Sequence, residues 1–221
     1  MAQTEQKNQN VKKQFEELQS LLERAMALQT SMVLFEWDDE TLAPKGAAEH
    51  TARVIGSLSE QYQEILASMR FKELLDVCLK AEKENAGVFD EVQSAILREA
   101  AEEQERLSCI PPEEYRAYAE LTACATGIWT RAREKNDFAS FAPVLKEIIS
   151  YQKKFAAYRA KPGQKLYDVM LDTYEKGFNM EMLDPFFELM KGKIVPLLKE
   201  SAERSKMVPD AFLSADYPEA A

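Results

Sequence analysis

Histidine, glycine and cysteine are scarce in this sequence, and each scarcity excludes a class of protein. The single histidine, His50, cannot supply the Glu-x-x-His pairs that a carboxylate-bridged dimetal helix bundle requires. Cys78, Cys109 and Cys124 are far apart and lack Cys-x-x-Cys spacing, which argues against a disulfide framework or a zinc knuckle. We therefore expect three reduced thiols. Because only 7 glycines accompany abundant Ala, Leu, Glu, Lys and Gln, we predict an all-α protein.

Long apolar runs and an excess of positive charge are also missing. No stretch approaches the ~18 apolar residues of a membrane span, and the polar residues 1–7 contain no signal-peptide core. The formal net charge of -10 and the pI near 4.9 argue against phosphate-rich partners, which attract concentrated lysine and arginine. We expect a cytoplasmic protein that binds neither nucleic acid nor membranes.

Apolar residues recur at helical spacing through most of the chain, and the first such stripe contains Val11, Phe15, Leu18, Leu22 and Ala25. The first ten residues are polar, and we expect them to be frayed. The pattern predicts a multi-helix array of long antiparallel helices joined by short loops. The predicted helices span about 11–35, 47–69, from 71 to a break at 85–87, 88–107, 112–129, 138–158, 166–174 and 180–198. We expect Pro196 to kink the last of them.

The stretch from Leu34 to Gly46 separates the first two predicted helices. Trp37 has the size of a side chain that fills a helix–helix corner, so we predict a buried structural plug rather than a binding residue. Asp38 and Thr41 are expected to cap backbone N–H groups through their side-chain oxygens. His50 has no second ligand or nucleophile nearby, so we interpret it as a surface or structural residue.

Two other features have both a functional and a structural interpretation. The glutamates of the predicted fourth helix could suggest a metal site, but with Arg98 and Arg106 nearby they are typical of a solvated charged face. The aromatic stripe from Phe138 to Tyr158 could form a ligand groove, but at helical spacing it favours a core face. Asp137 and Asn179 are predicted helix caps.

Three segments of this sequence resemble, in the right order, signatures of the Taq-type thermostable carboxypeptidases, a family of zinc-dependent metallocarboxypeptidases. The first resembles the opening signature Trp-Asp-x-x-Thr-x-x-Pro with a following arginine, and it contains Trp37, Asp38, Thr41, Pro44 and Arg53. The second resembles Ala-Arg-x-x-Asn-Asp-Phe and contains Asn136 and Asp137. The third resembles Tyr-Asp-x-x-Leu-Asp-x-Tyr-Glu-x-Gly and contains Tyr167, Asp168 and Tyr174. Ala43 and Asn179 are mild departures, where the family often has Met and Thr.

The resemblance implies a zinc site that this chain does not contain. Such peptidases hold the metal with the two histidines of a helical HExxH and a further glutamate. This sequence has one histidine and no HExxH. We therefore expect the N-terminal helical half of a zincin-like carboxypeptidase, its wall and lid, with the catalytic half beyond Ala221. On this interpretation the chain has no catalytic or metal-binding residue, the signature residues are scaffold, and the chain alone does not hydrolyse the peptide substrates of the full-length enzyme.

Two other interpretations stay open. The first is a stand-alone helical interaction or scaffold protein derived from that fold, and the second is an unrelated helical bundle that binds a small ligand, for which no convergent polar set is found. We expect a helical region over 1–206 and an aperiodic tail over 207–221. The last fifth carries apolar residues that need a cover, and we expect self-association as a homodimer to provide it. These residues are Phe186, Phe187, Met190, Phe212, Leu213 and Tyr217.

Overall fold

The computed structural model describes residues 2–44, 46–85, 87–205 and 211–214. All regular structure in these residues is helical, which confirms the predicted all-α class. The eight α-helices are α1 (Ala2–Thr41), α2 (Ala48–Ala67), α3 (Met69–Glu84), α4 (Glu91–Ser108), α5 (Pro112–Glu134), α6 (Phe138–Arg159), α7 (Leu166–Tyr174) and α8 (Met180–Ser205). A short 3-10 helix follows at Ala211–Ser214. No helix in the described ranges is both long and apolar enough to cross a membrane.

The chain divides into two compact units, Met1–Arg159 and Ala160–Ala221. The first unit contains α1 to α6, and the second contains α7, α8 and the 3-10 helix. The predicted boundary between a helical region, 1–206, and a tail, 207–221, stays a prediction, because most of that tail is outside the described residues. The side chains of Phe212 and Tyr217 are also outside them.

The core of the first unit is built on the apolar stripe of α1, as predicted. Val11, Phe15, Leu18 and Ala25 are buried, and the ring of Phe15 lies 5.1 Å from that of Phe89. The stripe belongs to one apolar cluster that also contains side chains of α3 and α4, with Phe71, Leu74, Cys78, Leu97 and Leu107 among the most enclosed. Helix α1 begins at Ala2, earlier than the predicted start near residue 11, and the expectation of a frayed start stays a prediction.

Local chemistry sets most helix boundaries where the sequence predicted them. Pro112 occupies the first turn of α5, where its missing N–H costs no hydrogen bond. The amide N–H of Ser140 donates to Asp137 Oδ1 at 3.2 Å, and that of Met182 donates to Asn179 Oδ1 at 3.0 Å, which confirms both predicted caps. Helix α8 continues past Pro196, and the predicted kink stays a prediction.

The aromatic stripe of α6, predicted as a core face, is less buried than expected. On α6, Phe155 is buried, but Phe138 and Ile149 are exposed, because α6 is the last helix of its unit and packs mainly against α5. On α5, Trp129 is also exposed, and the guanidinium carbon of Arg133 lies 5.3 Å from its ring. On α8 none of the side chains is buried, and Phe186, Phe187 and Met190 are exposed. A helical period identifies an apolar face, but a neighbouring element must be present to cover it.

Candidate functional site

The first signature segment forms the end of α1, and its Trp37 is 57% exposed. The prediction of a buried plug was therefore wrong. The reason is rotational: at 100° per residue, Trp37 lies about 120° around α1 from the buried Ala25.

The capping roles predicted for this segment were also wrong. Thr41 is helical, and its Oγ1 donates to the Trp37 carbonyl, 2.6 Å away, within the last turn of α1. Asp38 contributes its backbone carbonyl, which accepts the N–H groups of Leu42 and Ala43 at 2.9 and 2.8 Å. These bonds end a helix, whereas the sequence pattern had indicated the start of one.

Pro44 and Arg53 complete the first segment at the surface. The Pro44 carbonyl accepts the N–H of Ala47 at 2.8 Å and closes the turn that leads into α2. Arg53 Nη1 pairs with Glu49 Oε1 at 3.0 Å, one turn away on the same helix. Both side chains of this pair are exposed, so the pair contributes little to stability. The segment is a helix–turn–helix connection with an exposed indole.

The second signature segment is the turn between α5 and α6. Asn136 has a φ of 51°, a left-handed conformation that asparagine adopts more readily than most residues. The Asp137 N–H donates to the Ala132 carbonyl at 2.8 Å, while its carboxylate caps α6. Both residues therefore have structural roles.

The third segment forms α7 and fixes the turn into α8. Asp168 Oδ1 accepts the N–H of Met180, the first residue of α8, at 2.9 Å. Asp172 Oδ1 accepts the N–H of Gly177 at 2.8 Å, where φ is 81°. Tyr167 and Tyr174 are exposed.

The role of Asp172 was not predicted. The available signal was two aspartates at i and i+4 shortly before a glycine, a spacing that places both carboxylates on one helix face.

The described residues do not gather the ligands that a zinc ion needs. Within the described ranges, no group of three His, Cys, Asp or Glu side chains is placed to hold a metal. His50 is exposed near the start of α2. Burial raises the pKa of the Cys78 thiol to about 11, whereas a metal binds the thiolate. These residues therefore do not fit the metal that the family signature implies.

One polar cluster joins α2, α4 and α6, and its geometry is that of a structural clamp. Glu103 Oε1 accepts from the Tyr62 hydroxyl at 3.1 Å and also bonds Arg106. Burial and the nearby Glu103 carboxylate raise the pKa of Tyr62 well above its usual range, so the phenol stays protonated. Arg159 Nε donates to the Arg106 carbonyl at 3.2 Å. The glutamate face of α4 is thus partly engaged with its neighbours, and not wholly solvated as predicted.

These observations define a helical scaffold whose signature aspartates organise turns, and comparison with known proteins assigns its family. The family model described as Carboxypeptidase Taq (M32) metallopeptidase matches residues 17–221. The chain therefore belongs to this metallopeptidase family.

Among characterised relatives, Carboxypeptidase 1 of Bacillus subtilis (strain 168) is 32% identical over 198 residues, which are 90% of this chain and 38% of that protein. Thermostable carboxypeptidase 1 of Pyrococcus furiosus is 30% identical over 184 residues, which are 83% of this chain and 36% of that protein. This chain thus spans well under half the length of these relatives.

Solved structures agree with the sequence comparison. The structure named "BsuCP Crystal Structure" has a TM-score of 0.80 and 33% identity, covering 85% of this chain and 37% of the other. The structure of Trypanosoma cruzi metallocarboxypeptidase 1 has a TM-score of 0.71 and 26% identity, covering 94% of this chain and 40% of the other. The predicted N-terminal helical half of a carboxypeptidase fold is therefore confirmed.

Proposed function

We propose that this chain supplies the helical, non-catalytic part of a metal-dependent carboxypeptidase that releases single residues from the C-termini of peptides. One observation carries the proposal. The family match runs through residues 17–221, yet the chain covers only 38% of its Bacillus subtilis relative and contains no HExxH. The zinc ligands, the acid/base glutamate and most of the substrate contacts would then come from another part of the whole protein.

The local geometry of the signature residues supports a scaffold role for this part. Asp137 caps α6, and Asp168 holds the first amide of α8. A carboxylate that accepts a backbone N–H in a turn contributes to helix ends and interhelical angles, and it is not free to activate water. These residues would therefore position the wall of a cleft whose chemistry is supplied from elsewhere.

The proposal predicts no chelator-sensitive carboxypeptidase activity and no stoichiometric zinc for the purified chain. The assay incubates the chain with zinc and an N-blocked dipeptide, and measures both free C-terminal amino acid and bound metal. Coexpression with the HExxH-containing remainder of the Bacillus subtilis relative should produce activity that a chelator stops. The same remainder with the HExxH glutamate replaced by Gln is the control. Activity of this chain alone would contradict the proposal.

The second candidate is a stand-alone helical interaction protein, favoured by the exposed apolar side chains of α8. The reading frame that follows the Ala221 codon distinguishes the two candidates. An in-frame HExxH supports the carboxypeptidase, whereas a stop codon supports the interaction protein.

The proposal also includes a cytoplasmic location, homodimer formation and the absence of nucleic-acid or membrane partners. The net charge of -10 supports the exclusion of polyanionic partners.

A further inference from the structure

The end of α6 carries an arginine whose charge is not matched by a carboxylate. Arg159 is the last residue of α6, and its Nε donates to the carbonyl of Arg106 in the last turn of α4 at 3.2 Å. Within the described ranges, no carboxylate bonds the two terminal nitrogens of Arg159. Since a guanidinium group has several N–H donors, most of the donors of Arg159 remain available to another acceptor.

The neighbouring carboxylate is already engaged by Arg106. Arg106 Nε donates to Glu103 Oε2 at 2.8 Å, and its Nη2 bonds the other oxygen of the same carboxylate. The Tyr62 hydroxyl donates to that second oxygen at 3.1 Å. Glu103 therefore balances the charge of Arg106, and the positive charge of Arg159 is in excess.

The surroundings of Arg159 disfavour its positive charge. Burial and, after it, the charge of Arg106 lower the pKa of Arg159, and Glu103 is the single carboxylate among the groups that oppose this lowering most strongly. Arginine nevertheless stays protonated in proteins, so the excess of positive charge persists. A bound anion would remove this imbalance.

Tyr115 adds a hydroxyl donor beside the two arginines. Burial raises the pKa of Tyr115, against the opposing effects of the Arg106 and Arg159 charges, so the phenol stays protonated close to both guanidinium groups. These three groups belong to three different helices and can donate from several directions. A phosphoryl group presents several oxygens around a tetrahedron, whereas a carboxylate presents two in one plane. The donor set therefore favours a phosphoryl group.

The cluster is accessible, and its local charge differs from that of the whole chain. The Arg106 side chain is 42% exposed, so a small ion can reach it from solvent. At physiological ionic strength, charges more than about 8 Å away are largely screened. The net charge of -10 therefore disfavours a long polyanion that passes many acidic side chains, but a single phosphoryl group meets mainly the charges of this cluster.

We propose that Arg159, Arg106 and Tyr115 form a binding site for a single phosphoryl group, supplied by free phosphate or by a phosphorylated small molecule. The terminal nitrogens of Arg159 would donate to two of its oxygens as a bidentate pair. The bound group would link the end of α6 to the end of α4 and the start of α5. This site does not depend on the proposed carboxypeptidase role.

Cys109 provides a local readout of binding, because its thiol donates to the same Arg106 carbonyl that accepts from Arg159 Nε. The full chain is titrated with inorganic phosphate at constant ionic strength, and mass spectrometry measures the alkylation of each cysteine by iodoacetamide. Phosphate should slow the alkylation of Cys109 several-fold in a saturable manner. Cys124, a partly buried thiol on α5, is the internal control and should be alkylated at an unchanged rate.

Matched variants test which residues hold the phosphoryl group. Arg159→Gln should weaken phosphate binding by about tenfold, because it removes a charge-assisted bidentate donor. Arg98→Gln makes the same charge change at an exposed position of α4 and should leave the affinity unchanged. Tyr115→Phe keeps the ring, removes the hydroxyl donor and should weaken binding several-fold, which gives a second test if Arg159→Gln does not fold. Circular dichroism of each variant verifies folding.

Two further probes define the ligand. Binding of glycerol 3-phosphate that is tighter than that of inorganic phosphate would identify a phosphorylated small molecule as the source, and weaker binding would identify free phosphate. Acetate at the same ionic strength should not protect Cys109. Failure of both phosphate probes to give saturable protection would overturn the proposal. So would equal protection by acetate, or equal losses of affinity in Arg159→Gln and Arg98→Gln.

Discussion

Gln63 is a fully buried polar side chain of α2, and its replacement provides a sharp test of how the first unit is held together. Its Nε2 donates to the Leu107 carbonyl at 3.2 Å and to the Ile110 carbonyl at 2.6 Å. These two carbonyls belong to the end of α4 and the turn that follows it. One amide group therefore ties α2 to the connection between α4 and α5.

Gln63→Leu keeps the approximate side-chain volume but removes both donors. The Leu107 carbonyl retains the N–H of Ile110, so the main loss is at the Ile110 carbonyl. A buried acceptor left without a donor costs about 1–3 kcal/mol. Gln63 Oε1 is itself buried without a protein partner, and its removal offsets part of this cost. We expect a loss of about 1–3 kcal/mol in the free energy of unfolding.

Urea unfolding followed by circular dichroism measures this loss, and Gln61→Leu is the matched control. Gln61 is exposed on the same helix, and its amide donates to the Ser57 carbonyl within that helix. The control should change stability by less than about 0.5 kcal/mol. Equal losses of unfolding free energy in Gln63→Leu and Gln61→Leu would refute the structural role assigned to the buried Gln63 amide.

Gln63→Glu adds a pH dependence of known sign. A carboxylate facing two carbonyls is disfavoured, so the folded-state pKa of the introduced carboxyl group should be higher than the unfolded value of ~4.3. The folded state then binds the proton more tightly. Stability relative to the parent should therefore fall as pH rises from ~4.3 through the folded-state pKa, and then level off. A loss of stability relative to the parent that stays constant over this pH range would contradict the proposed geometry.

Three further predictions use the same unfolding measurement. Trp37→Ala should lower the free energy of unfolding by about 1 kcal/mol or less, because the indole is exposed. Phe71→Ala, at a fully buried site, should lower it by about 3–5 kcal/mol. Similar losses in the two variants would restore the buried-plug interpretation. Asp168→Ala should lower the stability of the second unit by about 0.5–2 kcal/mol through loss of the bond to the Met180 N–H, and no change would show that the bond contributes nothing. Burial raises the pKa of Cys78 to about 11, compared with an unfolded value of ~8.5. The parent should therefore lose stability as pH rises between these two values. Cys78→Ala should lack this pH-dependent loss of stability.

Features set by neighbouring residues could be read from the sequence. Helical spacing places the apolar side chains from Val11 to Ala25 on one face of α1, and Val11, Phe15, Leu18 and Ala25 are buried there. Asp137 and Asn179 cap helices because their side chains reach amides only three residues away. Asp172 has the same local character, since its carboxylate accepts the N–H of Gly177, five residues further along the chain.

Features that depend on the approach of distant segments could not be predicted. Gly56 looks like a weak point in a helix, but a Cβ there would lie 2.2 Å from Glu120 Cγ, so the absent side chain permits close packing of α2 and α5. Gln63 resembles any other helical glutamine until α4 supplies its two carbonyls. These roles involve residues more than forty positions apart, and no local pattern encodes them.

By itself, the sequence determined the helical class, most helix ends, the core face of α1 and the carboxypeptidase family, because periodicity, capping and signature spacing act over a few residues. Only the tertiary structure decided which apolar faces are covered. Trp37 and the apolar side chains of α8 carry strong apolar signals, yet Trp37 is 57% exposed and no side chain of α8 is buried. Burial is a property of two surfaces in contact, and the period of one helix specifies only one of them.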